Sequence, residues 1–388
     1  MKKLFLSALC VAMLLVSIGG IMVNAGTDAQ NLTGNSNILP KLEKIKQKEH
    51  YKKLLQFKKE EEFNTYIDNL TTNQLLTAIA EVSEETDDYT ALVPFATHSK
   101  KIVKDLSVND AISMLNNKDY SNNFKYYLLD VINTYKKYAK QDMKAFASDE
   151  KKYDTQLREL IKDKKVDTSL QIKALYCIES YEKSDAPMLL SILDSKDYSD
   201  DLKGHVLSKL EKLDKKSTFT QAETIVKSPL AHSKSLLFRA LEVMDDIDDD
   251  SDQVVESVNN VLHAFDKAGQ LDADTANSIM WSFGKIKNAK SVRSLMDNRD
   301  VIGDELVAIF VNMNFTAINK MLNANESKEN LEAALECVSI RPMKEFESSL
   351  KDLIENCNDE NYKEKAISAL NKVQESDLKR NPKWDDYK

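Results

Sequence analysis

Three histidines, His205, His232 and His263, stand 27 and 31 residues apart, close to one per unit of a helical repeat. Imidazoles contributed by successive units could converge on a zinc ion, which takes nitrogen ligands in a tetrahedral set. The chain has five histidines, at 50, 98, 205, 232 and 263, and none belongs to H-E-x-x-H or to any H-x-x-x-H pair. That spacing is what puts two imidazoles on one helical face. Ordinary surface or capping histidines fit better, so no metal ligand is assigned. The acidic run DDIDDDSD at 245–252 invites calcium. A loop starting at Asp248 puts Asp250 and Asp252 at the third and fifth ligand places. The sixth is then Gln253, where a sharp turn needs glycine, and the twelfth is Asn259, where a bidentate glutamate belongs. A turn between helices, with its last acids at the next helix's positive N-terminus, is the simpler reading. Weak Ca²⁺ binding is the alternative.

Other chemistry is equally hard to place. SFGKIKNAKSVRSLM (282–296) holds a Gly-Lys pair, but Gly284 stands alone and Ile286 follows Lys285. A phosphate loop needs G-x-x-x-x-G-K-[ST], whose glycines let backbone N–H groups wrap the phosphates. There is no G-x-S-x-G, and no cysteine lies near a histidine in sequence. With 63 acidic residues, no carboxylate pair stands out. Trp281 and Tyr176 are candidates to line a ligand groove, although large aromatics at helical spacing more often belong to a core. Trp384, near the C-terminus, is a candidate anchor for a partner. Four N-x-[ST] sequons begin at Asn31, Asn69, Asn314 and Asn325. The sequence therefore assigns no catalytic, cofactor-binding or metal-ligating residue and leaves the binding residues open.

Composition bounds the class. The chain opens MKKLFLSALCVAMLLVSIGGIMVNAG, a basic start followed by an apolar run and then small residues. This resembles a secretory signal peptide over 1–25, cleaved before Gly26, with an uncleaved anchor as the alternative. Cys10 follows Leu9, too bulky for lipoprotein processing. The 388 residues carry 54 Lys+Arg against 63 Asp+Glu, a net charge of −9 that becomes −11 once Lys2 and Lys3 leave with the leader. A net-acidic surface disfavours nucleic acid and anionic membranes. Beyond the leader remain Cys177, Cys337 and Cys357. A Cys337–Cys357 bridge is conceivable, but small buried hydrophobes is the preferred reading for all three. Glycine is scarce, with none between Asn35 and Lys203. Tight hairpins and Gly-rich loops, which need positive φ, are thus not signalled.

From Asp167 onward a pentad recurs, small–large–x–x–large, at 174–178, 206–210, 240–244, 282–286, 309–313, 334–338 and 369–373. Its spacing runs from 25 to 42 residues, the range of a helix-turn-helix repeat. Seven residues before the pentad stands a capping residue in five copies, Asp167, Ser199, Ser233, Thr275 and Ser327, and a cap near Asp359 is expected for the last. Between pentads lie apolar segments such as 187–193, 219–226, 254–265, 317–322 and 346–354, with Pro187 and Pro342 near helix starts. The fragment 282–296 resembles the turn and flanking helices of a HEAT repeat. Phe283, Gly284, Ile286, Asn288, Val292 and Leu295 fall on its pattern, and ALYCIESYEKSDAPMLL and ALECVSIRPMKEF match in part. The resemblance covers about 210 residues, from Asp167 to near Val373. It implies a curved α-solenoid used for binding, with no particular ligand.

The expected architecture is all-α: a solenoid of stacked helical hairpins behind a signal peptide. Its parts are a leader at 1–25, a flexible linker at 26–40, an N-terminal helical region at 41–140, HEAT-like repeats at 141–375 and a polar tail at 376–388. Residues 41–63 read as one charged helix, with Leu42, Ile45, Tyr51, Leu54, Leu55 and Phe57 along it. The segments 75–82, 110–115 and 126–139 read as amphipathic helices, diverged repeats or a separate cap. The function expected is that of an exported, secreted or cell-surface protein that binds a protein or peptide and does no chemistry. A carbohydrate-active enzyme with an α/α barrel is the rival, disfavoured by two tryptophans and few glycines. A metal- or ion-storing surface protein is a third possibility.

Overall fold

The computed structural model describes residues 38–86, 88–138, 149–247 and 252–381. The expected leader and most of the expected linker lie outside them. The described chain is all-α, and no strand occurs among the described residues. No helix there is long and apolar enough to cross a membrane. Two compact units result, divided between Ser180 and Tyr181.

The first unit starts with α1 (Leu42–Gln47), α2 (Glu49–Leu54), α3 (Glu60–Asp68) and α4 (Thr72–Glu85). A 3₁₀ helix, Tyr89–His98, follows. Next come α5 (Ser99–Asp105), α6 (Val108–Asn116), α7 (Asn122–Tyr138), α8 (Glu150–Lys162) and α9 (Thr168–Cys177). Here the single helix expected over 41–63 is corrected. Lys48 takes left-handed backbone angles, φ 54°, and ends α1, while a turn at 55–59 ends α2. Lysine and glutamate favour helix, but propensity is a weak prior against tertiary packing. Both α1 and α2 pack on α4. Bending lets the two short helices bury Ile45 and Leu54. Helix α4 is fixed at its start by a capping box, in which Thr71 and Gln74 satisfy each other's N–H groups.

The second unit runs α10 (Ala186–Asp194), α11 (Asp200–Leu210), α12 (Lys215–Val226), α13 (Lys234–Ile247), α14 (Asp252–Lys267) and α15 (Ala273–Lys285). It continues with α16 (Ala289–Asp297), α17 (Arg299–Ile302), α18 (Asp304–Met313) and α19 (Phe315–Met321). It ends with α20 (Lys328–Ile340), α21 (Glu347–Asn356) and α22 (Glu360–Glu375). Six of the seven pentads lie on α11, α13, α15, α18, α20 and α22, each of which packs on the next in that series, while the first, 174–178, falls at the end of α9 in the first unit. The intervening helices α12, α14, α16 and α19 do the same among themselves. The pentad is the buried stripe. Val206, Leu207, Leu210, Ala240, Leu241, Met244, Ala334, Val338, Ala369 and Val373 are all fully buried. A small side chain at the first position lets the neighbouring helix approach, and each buried large one contributes about 1.5–3 kcal/mol. Ile309 departs from the pattern and is 38% exposed.

The caps recur with the helices. Asp167, Ser199, Ser233, Ser327 and Asp359 each accept from an N–H in the first turn of the following helix. Thr275 does not. The cap of α15 is Asp272, whose carboxylate accepts the Thr275 N–H at 2.7 Å, so the helix begins earlier than its hydroxyl suggested. The Thr275 hydroxyl and N–H, with Lys234, hold the Asp272 carboxyl down at about 2. A second device links successive hairpins: the first residue of a helix reaches the cap of the next helix in the series. Asp200 accepts the Ser233 N–H, Lys234 pairs with Asp272 at 3.0 Å, and Lys328 pairs with Asp359 at 3.0 Å.

All three cysteines of the described chain are buried and free, so Cys337 and Cys357 are unbridged. The segment after α22, read as a polar tail, is docked in its first residues. The Lys344 N–H donates to the Leu378 carbonyl at 3.1 Å, and the Arg380 N–H to Glu345 at 3.0 Å.

Candidate functional site

The first unit holds a partly enclosed apolar hollow of about 60 Å³. Helix α2 supplies Tyr51 and Leu54, and the turn after it supplies Leu55, Phe57, Lys58 and Lys59. Phe63 comes from α3 and Val82 from α4, while the 3₁₀ helix adds Ala91, Pro94 and Phe95. Local chemistry sets these elements. Asp88 accepts the Thr90 N–H at 2.9 Å and starts the 3₁₀ segment, and Pro94 within it lacks the N–H that a longer helix would use. The rings of Phe63 and Phe95 meet edge to face, 5.5 Å apart, and make the floor rigid. Leu55 is 43% exposed beside the hollow, an apolar side chain left in water among others that are buried.

Beneath α2 lies a polar cluster that fixes this wall. Glu81 of α4 is fully buried, and its carboxylate accepts the N–H groups of Tyr51, at 2.8 Å, and of His50. A carboxylate there also meets the positive end of α2. Its second oxygen, Oε1, has no hydrogen-bond partner. Burial pushes the Glu81 carboxyl above its ordinary range, against the lowering effect of the two N–H groups. The Nδ1 of His50 lies 2.6 Å from the Tyr66 hydroxyl, and burial lowers the imidazole and raises the phenol. The Lys53 ammonium sits 4.5 Å above the Tyr66 ring. The cluster anchors α2, and the hollow beside it presents hydrocarbon with two lysines at its edge. Ligand cavities for small organic molecules run to several hundred Å³, so this one matches a single apolar side chain.

The second unit carries an open charged depression between α17, α18, α20 and α22, bounded by Arg299, Asp304, Glu336 and Lys372 among others. Its arginine is already engaged. Nε and Nη2 of Arg299 meet the two oxygens of Asp304 at 2.6 and 3.1 Å, and Nη1 meets Glu336 at 2.9 Å. This bidentate fork is a strong arrangement that ties three helices together.

The structure does not bring His205, His232 and His263 into a metal site. His205 is half-buried on α11, its imidazole lowered by burial and by Arg239. The Nδ1 of His232 lies 3.8 Å from Asp200, and His263 is exposed on α14. Among the described residues, no three His, Cys, Asp or Glu side chains are placed to hold a metal ion. Of the acidic run, buried Asp245 and exposed Asp246 both face Lys285, at 3.7 and 3.2 Å, and Asp252 pairs with Lys290 at 3.4 Å. Asp248 and Asp250 lie outside the described residues. Gln253 and Asn259 bond across to Glu223 and Ser294 on neighbouring helices. Trp281 is half-buried with its ring edge-on to Phe310, 6.4 Å away. Tyr176 reverses the core expectation and is 45% exposed. Trp384 and Asn31 lie outside the described residues; Asn69 and Asn325 are exposed and Asn314 is buried. No periodic pattern in the sequence marks the hollow. Its one local signal is Leu54-Leu55-x-Phe57, adjacent apolar residues that no single helical face can bury.

No protein-family description matches the chain, and neither does any curated protein. Among solved structures, a chain from the computational design of self-assembling cyclic protein homooligomers is similar to it. The likeness covers 82% of this chain and 95% of that one, at 14% identity and a TM-score of 0.11.

Proposed function

We propose that this is an exported, non-catalytic binding protein. In this reading it is an α-solenoid of HEAT-like hairpins that engages a protein or peptide partner outside the cell, secreted or held at the surface. The pattern that supports the architecture is the packing of each pentad helix on the next in its series, with caps and cap-to-helix links recurring in phase. A helical hairpin of this kind covers its apolar face only with its neighbours. The basic leader-like start and the apolar run that follows it support export.

The observation that carries the binding reading is the hollow between α2, α3 and the 3₁₀ helix. It is lined by hydrocarbon, it lies beside exposed Leu55, and Lys58 and Lys59 edge it. An aromatic or large aliphatic side chain flanked by carboxylates suits it, the apolar part entering and the acids meeting the lysines. Such a buried anchor with a polar rim is how small interfaces gain most of their affinity.

Selection from a displayed peptide library, run in parallel on the wild type and on Ala91→Phe, tests this. The added ring at Ala91 fills the hollow. Peptides selected on the wild type are expected to share an apolar residue next to Asp or Glu, and to lose at least about ten-fold in affinity on Ala91→Phe, about 1.4 kcal/mol. Selected peptides that bind both proteins equally would move the binding surface elsewhere. Incubation with polysaccharides from the producing cell's surface gives the other arm: steadily shortening chains would put the carbohydrate-active enzyme first.

A further inference from the structure

Residues 376–381 leave the end of α22 as a segment outside any helix, turned by the Leu378 N–H donating to the Ser376 hydroxyl at 3.0 Å, and meet α18, α19 and the turn before α21. The contacts they make have an unusual distribution. Three of them are made by backbone groups of the segment. Its Leu378 carbonyl accepts the Lys344 N–H at 3.1 Å, its Arg380 N–H donates to Glu345 at 3.0 Å, and its Asn381 N–H donates to Oδ1 of Asn312 at 3.1 Å. Asn312 is itself 3% exposed, a buried amide whose oxygen faces the segment. One side chain is recognised as well: the Arg380 guanidinium stacks 4.3 Å from the centroid of the Phe315 ring, which is braced by Phe346 at 4.8 Å. Leu378 stays 42% exposed, so the segment does not fold back to bury hydrocarbon.

This is how a protein holds a peptide. Fixed groups read the main chain, and one pocket or platform reads a side chain. An arginine over an aromatic face is attracted by the ring's quadrupole, more strongly when the pair is shielded from water. We propose that Asn312, Phe315, Lys344 and Glu345 form a site for an arginine-bearing peptide, and that residues 376–381 of the same chain are its resident ligand. A peptide of that chemistry from outside binds by displacing the chain's own segment. The site belongs to the second unit and does not depend on the apolar hollow of the first.

A tethered ligand competes at a high effective concentration, in the millimolar range for short linkers. Weakening it from within is therefore the way to see the site. The probe is a fluorescein-labelled synthetic peptide with the sequence of residues 374–388, followed by anisotropy against the full-length protein. Wild type should bind it weakly. Arg380→Ala, which removes the stacking cation from the resident segment alone, should bind it at least ten-fold more tightly at unchanged helical content. The same peptide carrying Arg380→Ala should lose that gain, and so should the double variant Phe315→Ala with Arg380→Ala. The peptide control holds even where Phe315→Ala perturbs folding. Equal binding to wild type and Arg380→Ala, or saturation by neither at about 1 mM peptide, would overturn the proposal, and so would indifference to the peptide's own arginine.

Discussion

Glu81→Gln separates two forces that oppose each other in one side chain. The carboxylate accepts two N–H groups from the first turn of α2, and it does so with no exposure to water and with Oε1 lacking a partner. A charged acceptor strengthens such bonds by about 1 kcal/mol each, so glutamine forfeits about 2 kcal/mol on that account. Both side chains leave one polar atom without a partner. What glutamine removes is the cost of burying a charge, and the carboxyl is held above its ordinary range, so that cost is the larger of the two. The sign follows by linkage. A carboxyl raised in the folded state contributes stability that is fully present below its unfolded value, about 4.3, and is lost as pH rises through the folded value. Each unit of elevation corresponds to about 1.4 kcal/mol. Glu84 is also raised, but it is present in both proteins and cancels from the difference. The stability of Glu81→Gln minus that of the wild type should therefore climb with pH from about 4 and level off once the native carboxyl is ionised. Urea unfolding from pH 3.5 to 8 by far-UV circular dichroism measures it, with hydrogen exchange of residues 49–85 reporting the first unit separately. A difference that stays flat, or falls as pH rises, would mean that the two N–H bonds outweigh burial and that the reasoning is wrong.

Three further outcomes follow from the packing. Phe310→Ala deletes a fully buried ring that Trp281 meets edge-on, and should cost about 3–5 kcal/mol. The lost exchange protection should fall in α15, α18 and α20, with the first unit unchanged. Ser327→Ala removes the cap of α20 and should cost about 1 kcal/mol in urea unfolding, whereas Ser327→Asp should retain most of the stability. Burial pushes the Cys177 thiol up to about 12 and raises that of Cys337 as well, so neither should react with a thiol reagent at pH 8 in the native protein. If the proposed leader is cleaved, the purified protein in denaturant should show three thiols, Cys177, Cys337 and Cys357; a fourth, Cys10, would mean that residues 1–25 are retained.

The helices of the second unit were legible because each solves the same local problem. A pentad on alternate helices makes a narrow apolar stripe, and a cap residue marks where most of those helices begin. Thr275 misled because it carries the right chemistry three residues inside a helix that Asp272 caps first. Tyr176 misled because helical spacing reports the side of the helix, whereas exposure depends on what that side faces. The break at Lys48 was invisible, since nothing in a run of lysines and glutamates encodes a left-handed residue. Packing of α1 and α2 on α4 imposes it. The hollow draws on five separate segments between 51 and 95 and has no period at all. The docking of 376–381 depends on a buried amide at Asn312 some seventy positions back, and composition gives no hint of it.

The reach of these contacts has a kinetic consequence. The polar links between neighbouring helices of the second unit join residues about thirty to forty positions apart, as in Lys234–Asp272, Lys290–Glu256 and Lys328–Asp359. Contacts of this limited sequence separation cost less loop-closure entropy than long-range pairings do. A helical hairpin can thus settle soon after its successor emerges, without waiting for the C-terminus. The bond from Asn381 to Asn312 spans 69 positions and is the exception. Its longer loop costs more entropy to close, and any segment that occupies Asn312 and Phe315 competes with that closure.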